Sequence, residues 1–278
     1  MCIRDSLTPS LKPGTAVVIK SIPAAEAARV LAKDVVHVWR IPIAAPDAIA
    51  RDFSQVLTPG EQARANRYTR GQDRARFQVG RAATRCILGS YLGLPPSKVA
   101  IDLDRRGKPQ LNASRVPIER RVHFNLSHSG SWIVAAFAVS FPVGIDIEQI
   151  RADAITEDLI AYFMSDSERR SLQSLPWEQQ PAAFFKCWTS KEALLKGLGV
   201  GVTVPLRAID VSIDPDRPAQ LIAAPPTLGA DDWHLHTLEF STPYAATLAV
   251  AAKSAEIVDI MIDSSMNLSA GGRSGCGS

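Results

Sequence analysis

An α+β fold made of two related halves, each a long helix packed on a small, mainly antiparallel sheet, follows from three features of the sequence. A helical pattern from Thr58 toward Tyr91 is succeeded by β-rich runs at Val122–Leu126 and Trp132–Val139. A second helical run, leading into Trp188–Gly197, is succeeded by strand patterns at Ala208–Ile213, His234–Phe240 and Ala245–Ala252. Phe141-Pro142 stands between them as a hinge. Helix followed by antiparallel strands, twice over, marks packed α+β layers. The halves are placed at 35–142 and 143–255, after a weakly patterned segment 1–34. A tail, 256–278, turns to Ser, Gly and Asn from Ser264 and is expected to be disordered.

The bulk properties are those of a soluble globular protein. With 278 residues the chain can hold one large domain or two smaller ones. No apolar run approaches the roughly 18 residues of a membrane span. The N-terminus lacks the basic-then-apolar order of a secretory signal, so a cytoplasmic location is the default. Cys2, Cys86, Cys187 and Cys276 stand far apart, which indicates neither a zinc site nor a disulfide framework. A formal charge of +3 is too small to imply nucleic-acid binding.

In chain order, Val35–Ile43 reads as the first strand, near an edge or an end because of Pro42. Asp47–Leu57 reads as a helix. Thr58, Pro59 and Glu61 then form the N-terminal signature of the next helix, which runs toward Tyr91 with an interruption near Gly71. On it Arg67, Arg70, Arg74, Arg81 and Arg85 recur at helical spacing as one basic stripe, short of the acidic partners that usually lace a solvated face. The stripe is either a solvated surface or a seat for an anionic ligand or acidic partner. Val99–Leu103 reads as a short strand, and in the turn after it Lys108 is held between Gly107 and Pro109, where it can meet phosphate at little entropic cost. The strands Val122–Leu126 and Trp132–Val139 enclose a polar turn, Ser127-His128-Ser129-Gly130, at one end of a sheet. A hydrolase triad of Ser127, His128 and Asp146 is rejected, because the Gly-x-Ser-x-Gly elbow is missing. Helices are expected at Thr156–Phe163 and Ser165–Leu175.

Two stretches carry the chemistry. In Val143–Ile147, an apolar strand, Asp146 and Glu148 are two apart and point the same way. In the helix Trp188–Gly197, whose stop is placed at Gly197, Trp188, Glu192 and Lys196 share a face and Lys191 sits beside it. Two carboxylates from a strand and one from a helix suit Mg²⁺, with lysine nearby for phosphate. Alone, the helix pair reads as surface decoration more readily than as chemistry.

Five stretches in order resemble the 4'-phosphopantetheinyl transferases of the surfactin-synthetase-activating (Sfp) type: Asp73–Phe77, Gly107–Pro109, Phe124–Gly130, Val143–Glu148 and Trp188–Lys196. The resemblance spans roughly Val35 to Val250 and implies two pseudo-symmetric α+β halves with coenzyme A in the cleft between them. It implies Asp146, Glu148 and Glu192 as ligands of Mg²⁺, with Mn²⁺ as a possible substitute, and Lys196 as a phosphate contact. It assigns Arg76, Lys108 and His128 to the 3'-phosphoadenosine end, with Ser127, Arg81, Arg85 and Lys191 as further coenzyme A contacts. One departure is Glu61 and Arg64, where the type carries lysines. The implied partner is an acidic apo carrier protein, and a fold that already contains an internal pseudo-dimer implies a monomer.

The implied reaction is attack of a carrier serine on the β-phosphorus of coenzyme A, expelling adenosine 3',5'-bisphosphate. Glu192 is the first choice for the serine proton, Glu148 the second, and Lys196 neutralises phosphoryl charge. Whether the arginine stripe meets coenzyme A, the carrier or both stays open. Two rivals are weighed. A Mg²⁺-dependent phosphatase would use the same carboxylates without a protein acceptor. An RNA-binding module would use the arginine helix with Trp39 and Trp132 as stacking residues.

Overall fold

A computed structural model describes residues 19–21 and 31–262, apart from 45–48, 50–51, 113, 118–120, 202–203 and 242. Two sheets lie face to face between two helices. The larger has the order β1 (Ile19–Ser21), β12 (Glu256–Met261), β2 (Val35–Pro42), β6 (Trp132–Ala138), β5 (His123–Ser129). The smaller has the order β10 (His234–Thr237), β11 (Tyr244–Val250), β7 (Val143–Gln149). The turn-forming ribbons β3 (Ile101–Leu103) with β4 (Pro109–Leu111), and β8 (Asp210–Val211) with β9 (Leu221–Ala223), stand outside them.

Alternation along the strands builds the layers. Val36 and Val38 of β2, Val134 and Ala136 of β6, and Val143, Ile145 and Ile147 of β7 form the buried core between the sheets. The opposite face of the larger sheet, with Trp39, Ile133 and Phe137, packs on α2 (Gly71–Leu92) through Val79, Ala83 and Ile87. In the second half, α5 (Gln180–Leu198) lies on the outer face of the smaller sheet and places Phe184, Leu194 and Leu195 in a third core. Each half is thus a helix on a sheet, and the two sheets share the central core.

The helix ends follow local chemistry. Thr58 caps α1 (Pro59–Asn66) with a complete capping box to Glu61. The chain breaks at Arg67–Arg70 before α2, close to the expected interruption. Ser165 caps α4 (Asp166–Ser174) in the same way, after α3 (Glu157–Phe163). Gly199, at φ 69°, ends α5. The expected stop at Gly197 is therefore two residues early, because Gly197 serves packing rather than capping. Of the helix expected at Asp47–Leu57, the described residues form only a 3₁₀ turn at Phe53–Gln55, and residues 47–48 and 50–51 lie outside them.

The expected tail needs correction. Glu256–Met261 is a strand paired in parallel with both β1 and β2, with Ile257 and Ile260 fully buried. A segment assigned beyond the second half thus completes the sheet of the first. Residues 263–278 lie outside the described ones. Among the described residues no helix is long and apolar enough to cross a membrane.

Candidate active site

Asp146 and Glu148 leave β7 on the face opposite Ile145 and Ile147, toward α5. This approach is unusually close because two glycines meet. A Cβ on Gly144 would overlap the Ala193 carbonyl oxygen and the backbone of Gly197, and a Cβ on Gly197 would overlap the ring of Trp233. With the glycines in place, Glu192 and Lys196 on α5 reach the strand carboxylates. Asp146, Glu148, Glu192 and Lys196 line one cavity of about 390 Å³ together with Ser127, His128 and Trp188. Trp188 is fixed by stacking on Phe163, with ring centroids 4.2 Å apart.

Lys196 Nζ donates to Asp146 Oδ1 at 2.5 Å and to Ser127 Oγ at 3.0 Å, and Ser127 Oγ donates to the same carboxylate oxygen at 2.6 Å. Ser129 Oγ donates to Glu148 Oε2 at 2.8 Å. Glu192 receives no hydrogen bond from the described residues. Burial pushes the Asp146 carboxyl above its ordinary pKa against the pull of Lys196. Burial, and then the Asp146 charge, pushes up both Glu148 and Glu192. One ammonium thus faces three carboxylates.

The residues fit a hard divalent cation by the chemistry of the donor set. Asp146 Oδ2 is buried with no hydrogen-bond partner, and the other donors are carboxylate oxygens. Among the described residues no three His, Cys, Asp or Glu side chains yet converge tightly enough to enclose an ion. Lys196 holds Asp146 Oδ1 itself.

A second, larger cavity of about 670 Å³ shares Leu126, His128, Glu192 and Lys196 with the first and extends between the halves. Arg76, Phe77 and Arg81 of α2, the β3–β4 turn and the end of α5 line it. The turn reaches across the cleft: Lys108 Nζ donates to the Lys196 carbonyl at 2.5 Å, and Arg106 donates to the Gly199 carbonyl. Both cations sit at the negative end of the α5 dipole. Burial lowers the pKa of Lys108. His128 is solvent-accessible, yet the cleft walls, and then Arg76, hold its imidazole below the ordinary histidine value.

Several sequence assignments change. Lys191 does not face the cleft. It is fully buried, and its ammonium donates to Glu168 Oε2 at 2.6 Å, the Phe163 carbonyl at 2.7 Å and the Leu206 carbonyl at 3.0 Å. Its protons are spent tying α5 to α3, to α4 and to the 3₁₀ turn that begins at Leu206, because one residue along a helix turns a side chain by about 100°. Arg85 is likewise buried, bound to both oxygens of Glu61 and to the carbonyls of Pro96 and Val99. Arg81 lines the cleft but is also paired with Glu61, at 3.3 Å. The basic stripe is therefore not one surface. The break at Arg67–Arg70 shifts its phase, and Glu61, the departure noted in the sequence, neutralises its C-terminal end. Trp39, a stacking residue in the RNA-binding alternative, is fully buried and donates to the Tyr91 hydroxyl at 2.9 Å. Sequence reasoning gave no site role to Ser129, Tyr68, Phe77 and Arg106, all beside the carboxylates or the cleft. Two left a signal: Ser129 stands two residues from Ser127 as Glu148 stands from Asp146, and Phe77 ends the stretch Asp73–Phe77.

Comparison with known proteins gives the family. Residues 142–249 match the family model described as the 4'-phosphopantetheinyl transferase superfamily, and residues 47–140 match the 4'-phosphopantetheinyl transferase N-terminal model. The chain is 39% identical over 221 residues to the 4'-phosphopantetheinyl transferase HetI of Nostoc sp., covering 80% of this chain and 90% of that protein. It is 29% identical over 164 residues to the 4'-phosphopantetheinyl transferase Sfp of Bacillus subtilis, covering 59% and 70% of the two chains. The residues that line both cavities fall within the matched ones, and the chain belongs to the 4'-phosphopantetheinyl transferase superfamily.

Proposed function

We propose that the cleft transfers the 4'-phosphopantetheine arm of coenzyme A to a serine of an apo carrier protein. The observation that supports this best is the shared wall of the two cavities. A carboxylate cavity with Lys196 opens into a larger one with Arg76, Lys108 and His128, so a pyrophosphate and a nucleotide can be held side by side.

In this reading Arg76, Lys108 and His128 bind the 3'-phosphoadenosine end, and Ser127 and Arg81 line its path. Asp146, Glu148 and Glu192 hold Mg²⁺, which when bound neutralises the pyrophosphate oxygens. Lys196 orients the phosphoryl group. The carrier serine oxygen forms a bond to the β-phosphorus, the bond to the bridging oxygen breaks, and adenosine 3',5'-bisphosphate leaves. Glu192 takes the serine proton, because it alone of the three carboxylates carries no donor from the described residues. The exposed Arg64, Arg67, Arg70 and Arg74 beside the larger cavity supply positive charge for an acidic carrier. No observation favours a phosphatase.

Arg76 and Arg67 separate the two substrates. Arg76→Ala is expected to raise the KM for coenzyme A about 10-fold or more, in line with a lost charged hydrogen bond, and to leave the KM for carrier unchanged. Arg67→Ala is expected to act on the carrier KM alone. Steady-state kinetics with each substrate varied in turn measures both, and unchanged constants in both variants would remove the assigned roles.

A further inference from the structure

β5 and β7 run side by side in the same direction without a backbone ladder. Their contacts advance together: Ile145 N–H donates to Asn125 Oδ1, Ser127 meets Asp146, and Ser129 meets Glu148. Two hydroxyls two residues apart therefore face two carboxylates two residues apart. The direction of each bond is settled by a second one. Ser129 Oγ accepts the Gln149 N–H at 3.0 Å, which leaves its single proton for Glu148 Oε2. Ser127 Oγ accepts from Lys196, which leaves its proton for Asp146 Oδ1.

We infer that Ser129 is a positioning residue for the metal carboxylate Glu148: it claims Oε2 and holds Oε1 toward the shared cavity as a ligand. Ser127 does the same for Asp146, whose Oδ2 is the buried oxygen left without a partner. Hydroxyls that orient coordinating carboxylates set the geometry of a metal site from outside it, and losing such a partner typically weakens metal binding about 10- to 100-fold. Ser129 is the more informative of the two, since Ser127 also meets Lys196. The inference rests on the proposed metal-binding role of Glu148.

The test is Mn²⁺ titration followed by electron paramagnetic resonance, with coenzyme A present and carrier omitted so that no turnover occurs. Ser129→Ala is expected to weaken Mn²⁺ binding about 10-fold with its thermal midpoint near that of the parent protein, and Ser129→Thr, which keeps the hydroxyl, is expected to restore it. Glu148→Gln, measured in parallel, separates two failures. If Glu148→Gln loses Mn²⁺ and Ser129→Ala does not, the positioning role is overturned and the metal site stands. If neither loses it, the metal-binding reading of Glu148 fails as well. If Ser129→Ala and Ser129→Thr weaken binding equally, the hydroxyl is not the active group and the inference is also overturned.

Discussion

Glu192→Gln is expected to lower the rate of phosphopantetheine transfer about 10³-fold, within the range for loss of a general base, while the protein remains folded. The side chain is half-buried in the cleft and receives no hydrogen bond from the described residues, so its replacement breaks no hydrogen bond among them. The amide is nearly the same size but cannot take the serine proton, and it ligates a hard cation poorly. Asp146→Asn should be as damaging by another route, since Lys196 and Ser127 are both built around the charged carboxylate. Single-turnover rates at saturating Mg²⁺ separate chemistry from binding. Near-normal turnover of Glu192→Gln under those conditions would contradict its assignment as base and ligand.

Gly144→Ala is expected to cost about 3 kcal/mol or more of folding stability, the upper end of overpacking effects, and to remove activity in whatever protein still folds. The added methyl meets the Ala193 carbonyl and the Gly197 backbone rather than a flexible side chain, so neither partner can turn aside. β7 and α5 must separate, and Asp146 and Glu148 then move away from Glu192 and Lys196. A shift of about 1 Å in a reacting constellation can cost about 100-fold in rate. Gly60→Ala is the control, because nothing lies within 4 Å of its Cβ position. Urea denaturation of both variants checks the expectation, and equal midpoints would show that the close approach of strand and helix is not required.

The two glycines explain why so much of the site was legible. A period of two fixes Asp146 and Glu148 on one side of β7, and a spacing of four fixes Glu192 and Lys196 on one side of α5. Once strand and helix are in contact, the three carboxylates line one cavity. What the pattern did not carry is the identity of the buried partner across space. Lys191 belongs to the same motif, but its neighbours are Glu168 and two carbonyls from distant segments. Arg85 fits the basic stripe by spacing, yet Glu61 comes from the preceding helix across a break. The last strand was missed for a similar reason. Glu256–Met261 is a short apolar run whose strand character comes from pairing with β2, more than 200 residues away in the chain. Local periodicity contains no record of that pairing.

The most direct consequence of the proposed reaction is transfer of an intact phosphopantetheine arm to protein. Incubation with coenzyme A, Mg²⁺ and a panel of apo carrier proteins, followed by intact-mass analysis, measures it directly. The expected result is a carrier heavier by one phosphopantetheine group, formed with release of adenosine 3',5'-bisphosphate and abolished by removing Mg²⁺. Unmodified carriers throughout the panel, with free phosphate released whether or not a carrier is present, would contradict it.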